Sequence, residues 1–190
     1  ADSKTGERLR LEELDLNRIM AAGLDLTGAL LQHVHWAGAN LEATCFRQAD
    51  LRWVDWRQAR LSRADFTEAT LEEVKFDRAL LDGALFCEAA IQDCHFPKAS
   101  MVQARFVQAR LKASDLTGVE APNTSWETAV LFECQLKGSV LDHASFLRTR
   151  FEFCSFDQAR LAACNFTAAK ASSCDLRHAN LSGTKVFNAD

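Results

Sequence analysis

Large apolar residues recur at every fifth position of this chain. Phe46, Leu51, Trp56, Leu61, Phe66, Leu71, Phe76, Leu81 and Phe86 show the pattern, which runs without a slip from Leu26 to Val186. Two residues before each stands a small one, as in Thr44, Ala49, Val54, Ala59, Ala64 and Ala69. The other three positions of each unit are mostly polar or charged. A period of five matches neither the 3.6 of an α-helix nor the 2 of a flat strand. It marks an internal repeat, which takes precedence over any local assignment.

The repeats sort again by twenty. One column of large residues is Phe46, Phe66, Phe86, Phe106, Trp126, Phe146 and Phe166, and the next is Leu51, Leu71, Ile91, Leu111 and Leu131. The small positions separate in the same way, into Ala49, Ala69, Ala89, Ala109 and Ala129 against Val54, Val74, Cys94, Ser114, Cys134, Cys154 and Cys174. Two independent sets of positions thus agree on four repeats per turn. This predicts an all-β coil with four sides of five residues, in which residues twenty apart stack. Coils in β-type contact lie about 4.8 Å apart, so about eight of them make a rod roughly 40 Å long. The large centre and the small residue two before it point inward, and the other three face out. Small residues are required because four inward pairs share one cross-section at close-packed density.

The units Ala39-Asn40-Leu41, Ala49-Asp50-Leu51, Ala64-Asp65-Phe66 and Ala179-Asn180-Leu181 follow the pattern A(D/N)LXX. In this the chain resembles the pentapeptide repeat proteins over residues 24–190. The resemblance implies a right-handed quadrilateral β-helix. Residues 1–23 are expected to form a frayed polar tail and an irregular capping coil, an amphipathic capping helix over 7–22 being the alternative. Residues 118–123 are expected to bulge or loop out, because Ala121 is a thin centre and Pro122 has no N–H to give a ladder. Ala171 is a second thin centre. The chain stops within a repeat at Asn188-Ala189-Asp190, which predicts that the last coil, with Leu181 and Phe187, is covered by a second copy meeting end to end or by further residues of a longer protein.

Composition narrows the function. The net charge of −4 argues against a direct nucleic-acid partner. No apolar run reaches the length of a membrane span, and no signal peptide is visible. Seven cysteines without a CxxC pair favour neither a disulfide framework nor zinc. Most occupy the small inward position, which fits reduced thiols in a cytoplasmic protein. Cys134, Cys154 and Cys174 stack in one column and are expected to stay reduced. His33 and His35 have a spacing that two metal ligands can use, but no Cys or repeated carboxylates lie nearby. Phosphate loops, nucleophile elbows and paired catalytic carboxylates are absent from the sequence. No enzyme, cofactor or metal is therefore expected.

The outer surface is left to carry function. Summed over the repeats from residue 24 onward, each side nets −1 or +1. Members of the family that mimic DNA and inhibit DNA gyrase, conferring quinolone resistance, need a strongly acidic side, which these sums do not provide. Outward apolar residues form two clusters. Leu80 and Val102 lie on one side with Leu85 and Val107 around the corner, and Val130, Phe132 and Phe153 lie on the Leu51 side. Such clusters mark candidate protein interfaces. The leading expectation is a rigid scaffold or spacer for a protein partner. The family resemblance implies that such rods occur as modules of larger bacterial proteins, including accessory proteins of secretion systems.

Overall fold

The computed structural model describes residues 8–189. Nine short strands lie in chain order in one parallel sheet. They are β1 (Arg10–Glu12), β2 (Leu30–Gln32), β3 (Asp50–Arg52), β4 (Thr70–Glu72), β5 (Ala90–Gln92), β6 (Arg110–Lys112), β7 (Val130–Phe132), β8 (Arg150–Glu152) and β9 (Lys170–Ser172). Each pairs with the next at an offset of twenty residues, from Leu11 opposite Leu31 to Phe151 opposite Ala171. The other three sides carry single parallel bridges in the same register, such as Asp15–His35–Asp55, Met20–Asn40–Arg60 and Asp25–Cys45–Asp65. The chain therefore makes about eight four-sided turns, as its twenty-residue period predicts.

The five positions of a repeat divide the backbone donors among them. With Phe46 as the centre, the Cys45 N–H reaches down to the Leu24 carbonyl at 2.8 Å, and the Phe46 N–H reaches up to that of Asp65 at 2.7 Å. The Gln48 N–H also reaches up, to Thr67, at 3.0 Å, and the Ala49 N–H closes the corner onto Phe46 at 3.1 Å. That last bond makes a type II turn, whose second central residue must be left-handed. Gln48 accordingly has φ 56°, and Asn123 at the matching position has φ 58°. On the three sides without a strand, the fifth donor, on the residue just after the centre, is idle in the ladder. Where the residue before such a centre is Asp or Asn its side chain takes that N–H, as Asp65 does for Thr67 at 2.9 Å. This gives the Asp/Asn of the repeat its place: it caps the one donor that the stacked coils leave over.

Among the described residues, the corner after each strand lacks the turn bond. There the inward side chains supply hydrogen bonds instead. Cys94 Sγ donates to the Gln92 carbonyl at 3.2 Å, and Ser114 Oγ donates to Lys112 at 2.9 Å while accepting from the Cys94 N–H at 3.2 Å. Cys154 repeats the contact to Glu152 at 3.4 Å. Small side chains with one weak donor suit this corner, and the cysteines gather on it.

Inside, like stacks on like. Phe66, Phe86 and Phe106 lie 4.7 Å apart with planes within 7°, and Trp126 continues the stack at 4.0 Å. The neighbouring aromatic column meets this one edge to face, with Phe66 and Phe76 at 6.0 Å and 89°. Both geometries are favourable for aromatic pairs.

Two expectations are corrected. Residues 118–123 do not leave the coil: Glu120 bridges Ser100 and Val140, and Val119 and Ala121 are buried. Pro122 stands just after its centre, where the N–H is idle and the fixed φ suits a type II turn. Its carbonyl still accepts from Gln103 at 3.1 Å. The loss of volume at Ala121 is met by Met101 and Leu141 below and above it and by the large Trp126 in the same coil, all fully buried. The capping coil is likewise neither irregular nor helical over the described residues, since β1 and the bridges at Asp15, Met20 and Asp25 keep full register with the coil above. Its large residues remain partly open, since among the described residues no coil lies beneath them. Of the frayed tail expected over 1–8, residues 1–7 lie outside the described residues, and Arg8 is held by a hydrogen bond from its Nε to the Gly28 carbonyl at 2.8 Å.

Two predictions follow from this packing. Ala84 is fully buried, so Ala84→Leu should destabilise by about 2–3 kcal/mol or more through overpacking, while Arg78→Ala on the surface should leave the urea midpoint within about 0.5 kcal/mol. The buried Trp56 Nε1 has no partner, whereas Trp126 Nε1 donates to Thr124 Oγ1, two residues before it, at 2.9 Å. Val54→Thr should supply the same acceptor and be neutral or stabilising by about 1 kcal/mol, while Val74→Thr, which has no indole to satisfy, should cost about 1–2 kcal/mol in the same titration.

Candidate functional site

The interior offers no site in the middle of the rod, because the inward columns fill it. From Leu26 to Cys164 every inward residue among those described is buried. Binding chemistry is therefore confined to the sides, the corners and the open end. On the sides, the residues just before and after each centre stand two apart and point the same way. Asp and Arg in those two places form a closed pair. Arg57 grips Asp55 with Nε at 2.9 Å and Nη2 at 2.6 Å, and its backbone N–H adds a third bond at 3.0 Å. Burial of Asp55, only 7% exposed, works against its charge, but the hydrogen bonds from Arg57 outweigh it and hold the carboxyl below the usual range. The same unit recurs at Asp175 and Arg177, where the Arg177 hydrogen bond lowers the carboxyl to about 2. Asp157 takes both Lys137 at 3.2 Å and His178 at 2.9 Å.

His33 and His35 do not form a metal centre. No cluster of ligating side chains of metal-site geometry occurs among the described residues. The His33 ring instead lies flat on Trp53, centroids 4.8 Å apart and planes within 4°. With His35, Asp55, Arg57, Glu73 and Lys75 they line a surface cavity of about 300 Å³. The outward Trp53 escapes a reading based on inward columns; a tryptophan off the apolar register is the signal that picks it out.

The expected cysteine ladder has a clear chemistry. Burial pushes the Cys94 thiol up to about 12 and that of Cys164 to about 11. Cys154 is pushed up by its hydrogen bond with Cys134 and by burial. The same bond lowers Cys134, which is fully buried and so out of reach of a reagent, and buried thiols held protonated are poor nucleophiles. Ellman's reagent should therefore react with the half-buried Cys45 and Cys87 in the folded protein, and with Cys94, Cys134, Cys154 and Cys164 only after denaturant is added. Rapid labelling of Cys94 or Cys154 in buffer would contradict this.

The apolar candidates fall in different settings. Phe132 and Phe153 come together in an edge-to-face pair, centroids 5.7 Å apart, with Phe153 55% exposed and Val130 half-buried on the same side. Leu80 is exposed, while Leu85, Val102 and Val107 are half-buried around their corner. At the last coil, Leu181 lines an apolar cavity of about 170 Å³ with Phe151, Phe156, Phe166 and Val186. The thin centre Ala171 stands in the same lining. Phe187 does not: it follows the centre Val186, so its side chain faces out, and it is 70% exposed. The two residues expected to share one contact thus point to different surfaces.

A closed interior, a four-sided coil and a twenty-residue register define a parallel β-solenoid built from five-residue units. The sequence profile of the pentapeptide repeats matches eight copies within residues 44–83, 79–118, 129–167 and 144–183, and the chain belongs to the pentapeptide repeat family. Among solved structures it is similar to HetL, a pentapeptide repeat protein involved in heterocyst differentiation regulation from the cyanobacterium Nostoc sp. strain PCC 7120, at 23% identity. The match covers 97% of this chain and 90% of HetL with a TM-score of 0.54. It is also similar to a trypsin-treated variant of QnrB1, a plasmid-mediated fluoroquinolone resistance protein, at 18% identity, with 95% and 90% of the two chains covered and a TM-score of 0.64. At these identities the likeness is one of fold. No curated protein matches the chain. No helix among the described residues is long and apolar enough to cross a membrane.

Proposed function

We propose that the chain is a non-catalytic scaffold, a rigid rod that docks a protein partner along its side and acts as a spacer, as a module of a larger bacterial protein. The observation that carries this is the Phe132–Phe153 pair, an aromatic contact in which Phe153 is exposed and Phe132 half-buried, on a fold whose interior is already filled. Exposed aromatic residues of this kind anchor interfaces. The free cysteines are consistent with a reducing compartment and support a cytoplasmic setting.

The alternative is a DNA-mimicking inhibitor of DNA gyrase. Mimicry requires a side with regularly spaced, unpaired acids. Here Asp50, Asp55, Asp65, Asp142, Asp157 and Asp175 are each paired with a cation. This supports docking over mimicry.

The reading is tested by purifying the tagged full chain from the cells that make it, and confirming any partner by reciprocal capture. Phe153→Asp should lose the partner with an unchanged melting temperature, because the side chain supports no coil. Retention of the partner by Phe153→Asp, by Leu80→Asp and by the double variant would defeat the reading. The apolar end cavity supports a second contact, in which two copies meet end to end. Light scattering should then show a dimer that Leu181→Asp converts to monomer, whereas a monomeric wild type would remove this contact.

A further inference from the structure

The Leu51 side nets only −1 from β2 to β9, but its charges are not spread evenly along it. From β1 to just past β5 it carries Glu12, Glu13, Asp50, Glu72, Glu73 and Asp93 against Arg10 and Arg52. Arg52 is already engaged, with Asp50 at 2.8 Å and Glu72 at 3.6 Å. From β6 to β9 the balance reverses, with Arg110, Lys112, Arg150 and Lys170 against Glu133 and Glu152. Arg148 adds a cation at the corner leading into β8. All five cations are exposed, and among the described residues none makes an ion pair or a side-chain hydrogen bond. Four of them follow the rod axis over three coil steps, about 14 Å.

The Phe132–Phe153 pair sits in the middle of this stretch. Phe132 closes β7 and Phe153 follows β8, so Arg110 and Lys112 lie on one flank and Arg150 and Lys170 on the other. Beside the pair, Arg150, Glu152, Lys170 and Ser172 border a groove of about 320 Å³. Ala171 is one of its lining residues, standing where the column otherwise carries a large side chain. An apolar centre with unpaired cations on both flanks is the arrangement of an interface core and a charged rim.

We propose that the β6–β9 stretch of this side binds an extended acidic segment of a protein partner, with carboxylates on the Arg110–Lys112 and Arg150–Lys170 flanks and one apolar side chain against Phe153. This rests on the scaffold function given above and adds the chemistry of the partner. An extended chain advances about 3.3 Å per residue, so about five residues span the stretch. The acids favour a peptide over a nucleic acid. Glu133 and Glu152 stand beside the aromatic pair, where a peptide can place an uncharged residue but a phosphate backbone brings charge at every step. Attraction between exposed charges at this range is screened by salt.

The test uses the full chain and a fluorescein-labelled ten-residue probe in which Glu and Ser alternate around one central Leu, read by anisotropy in 50 mM NaCl. The expected result is saturable binding that weakens at least tenfold in R150E/K170E, and about fivefold in F153S or when the probe's Leu is replaced by Ser. R63E/R78E, which reverses two cations on other sides, should bind within twofold of the wild type. Raising NaCl to 300 mM should weaken binding about fivefold. No binding, equal losses in R150E/K170E and R63E/R78E, or tighter binding of a ten-nucleotide single strand would overturn the proposal. So would a concentration-dependent dimer lost in R150E/K170E, which would assign the basic stretch to the acidic half of a second copy. A cellular partner lost in Phe153→Asp but kept in R150E/K170E would leave the scaffold reading intact and overturn only the acidic chemistry.

Discussion

The parallel backbone ladder between successive coils is the constraint on which everything else depends. Its rungs alternate up and down: Cys45 gives to the coil below, and Phe46 and Gln48 give to the coil above. That alternation fixes the offset at twenty residues and with it the stacking of like on like. The aromatic columns follow from the ladder, because rings on residues twenty apart must share one axis. The small inward neighbours follow too, since the coils lie too close for two large residues per side. The left-handed residue at each corner is the local conformation that lets the chain turn without giving up a rung. In energetic terms this is a linear array in which each coil meets only its two neighbours.

Much of this is legible in the sequence, because the ladder forces a side chain in or out at every position. The five-residue period, the four columns and the stacking of Phe66, Phe86 and Phe106 can all be read from spacing alone. Pro122 is misread for a specific reason. Proline is disfavoured where a ladder N–H is needed, and spacing does not reveal that on this side the residue after the centre has an idle one. The thin centre Ala121 is misread because large buried neighbours stand around it, Met101 and Leu141 in its own column and Trp126 in the next. At the first coil, residues too large for their positions suggest irregularity, yet they keep full register where no described coil packs beneath them.

The surface is less legible, since stability places few demands on it. Trp53 has no role in the inward pattern, so a search of that pattern passes over its stack on His33. The charges of the Leu51 side nearly cancel when counted together from β2 to β9 and separate only when each is assigned its height on the rod. Height is a property of the coil number, which the twenty-residue register provides once the fold is known. The pairing of Phe132 with Phe153 is likewise a matter of neighbouring coils rather than neighbouring residues.

The register also governs how such a rod can change in length. Adding twenty residues lengthens it by one coil, about 4.8 Å, and every side keeps its facing. Adding a single repeat of five keeps the inward pattern of large and small residues equally well, yet it turns everything beyond it by a quarter of a revolution. Patches aligned on one side, such as the acidic and basic halves of the Leu51 side, would then look in directions at right angles. A short duplication can therefore rewire which surfaces are presented together, with little sign of it in the repeat pattern itself.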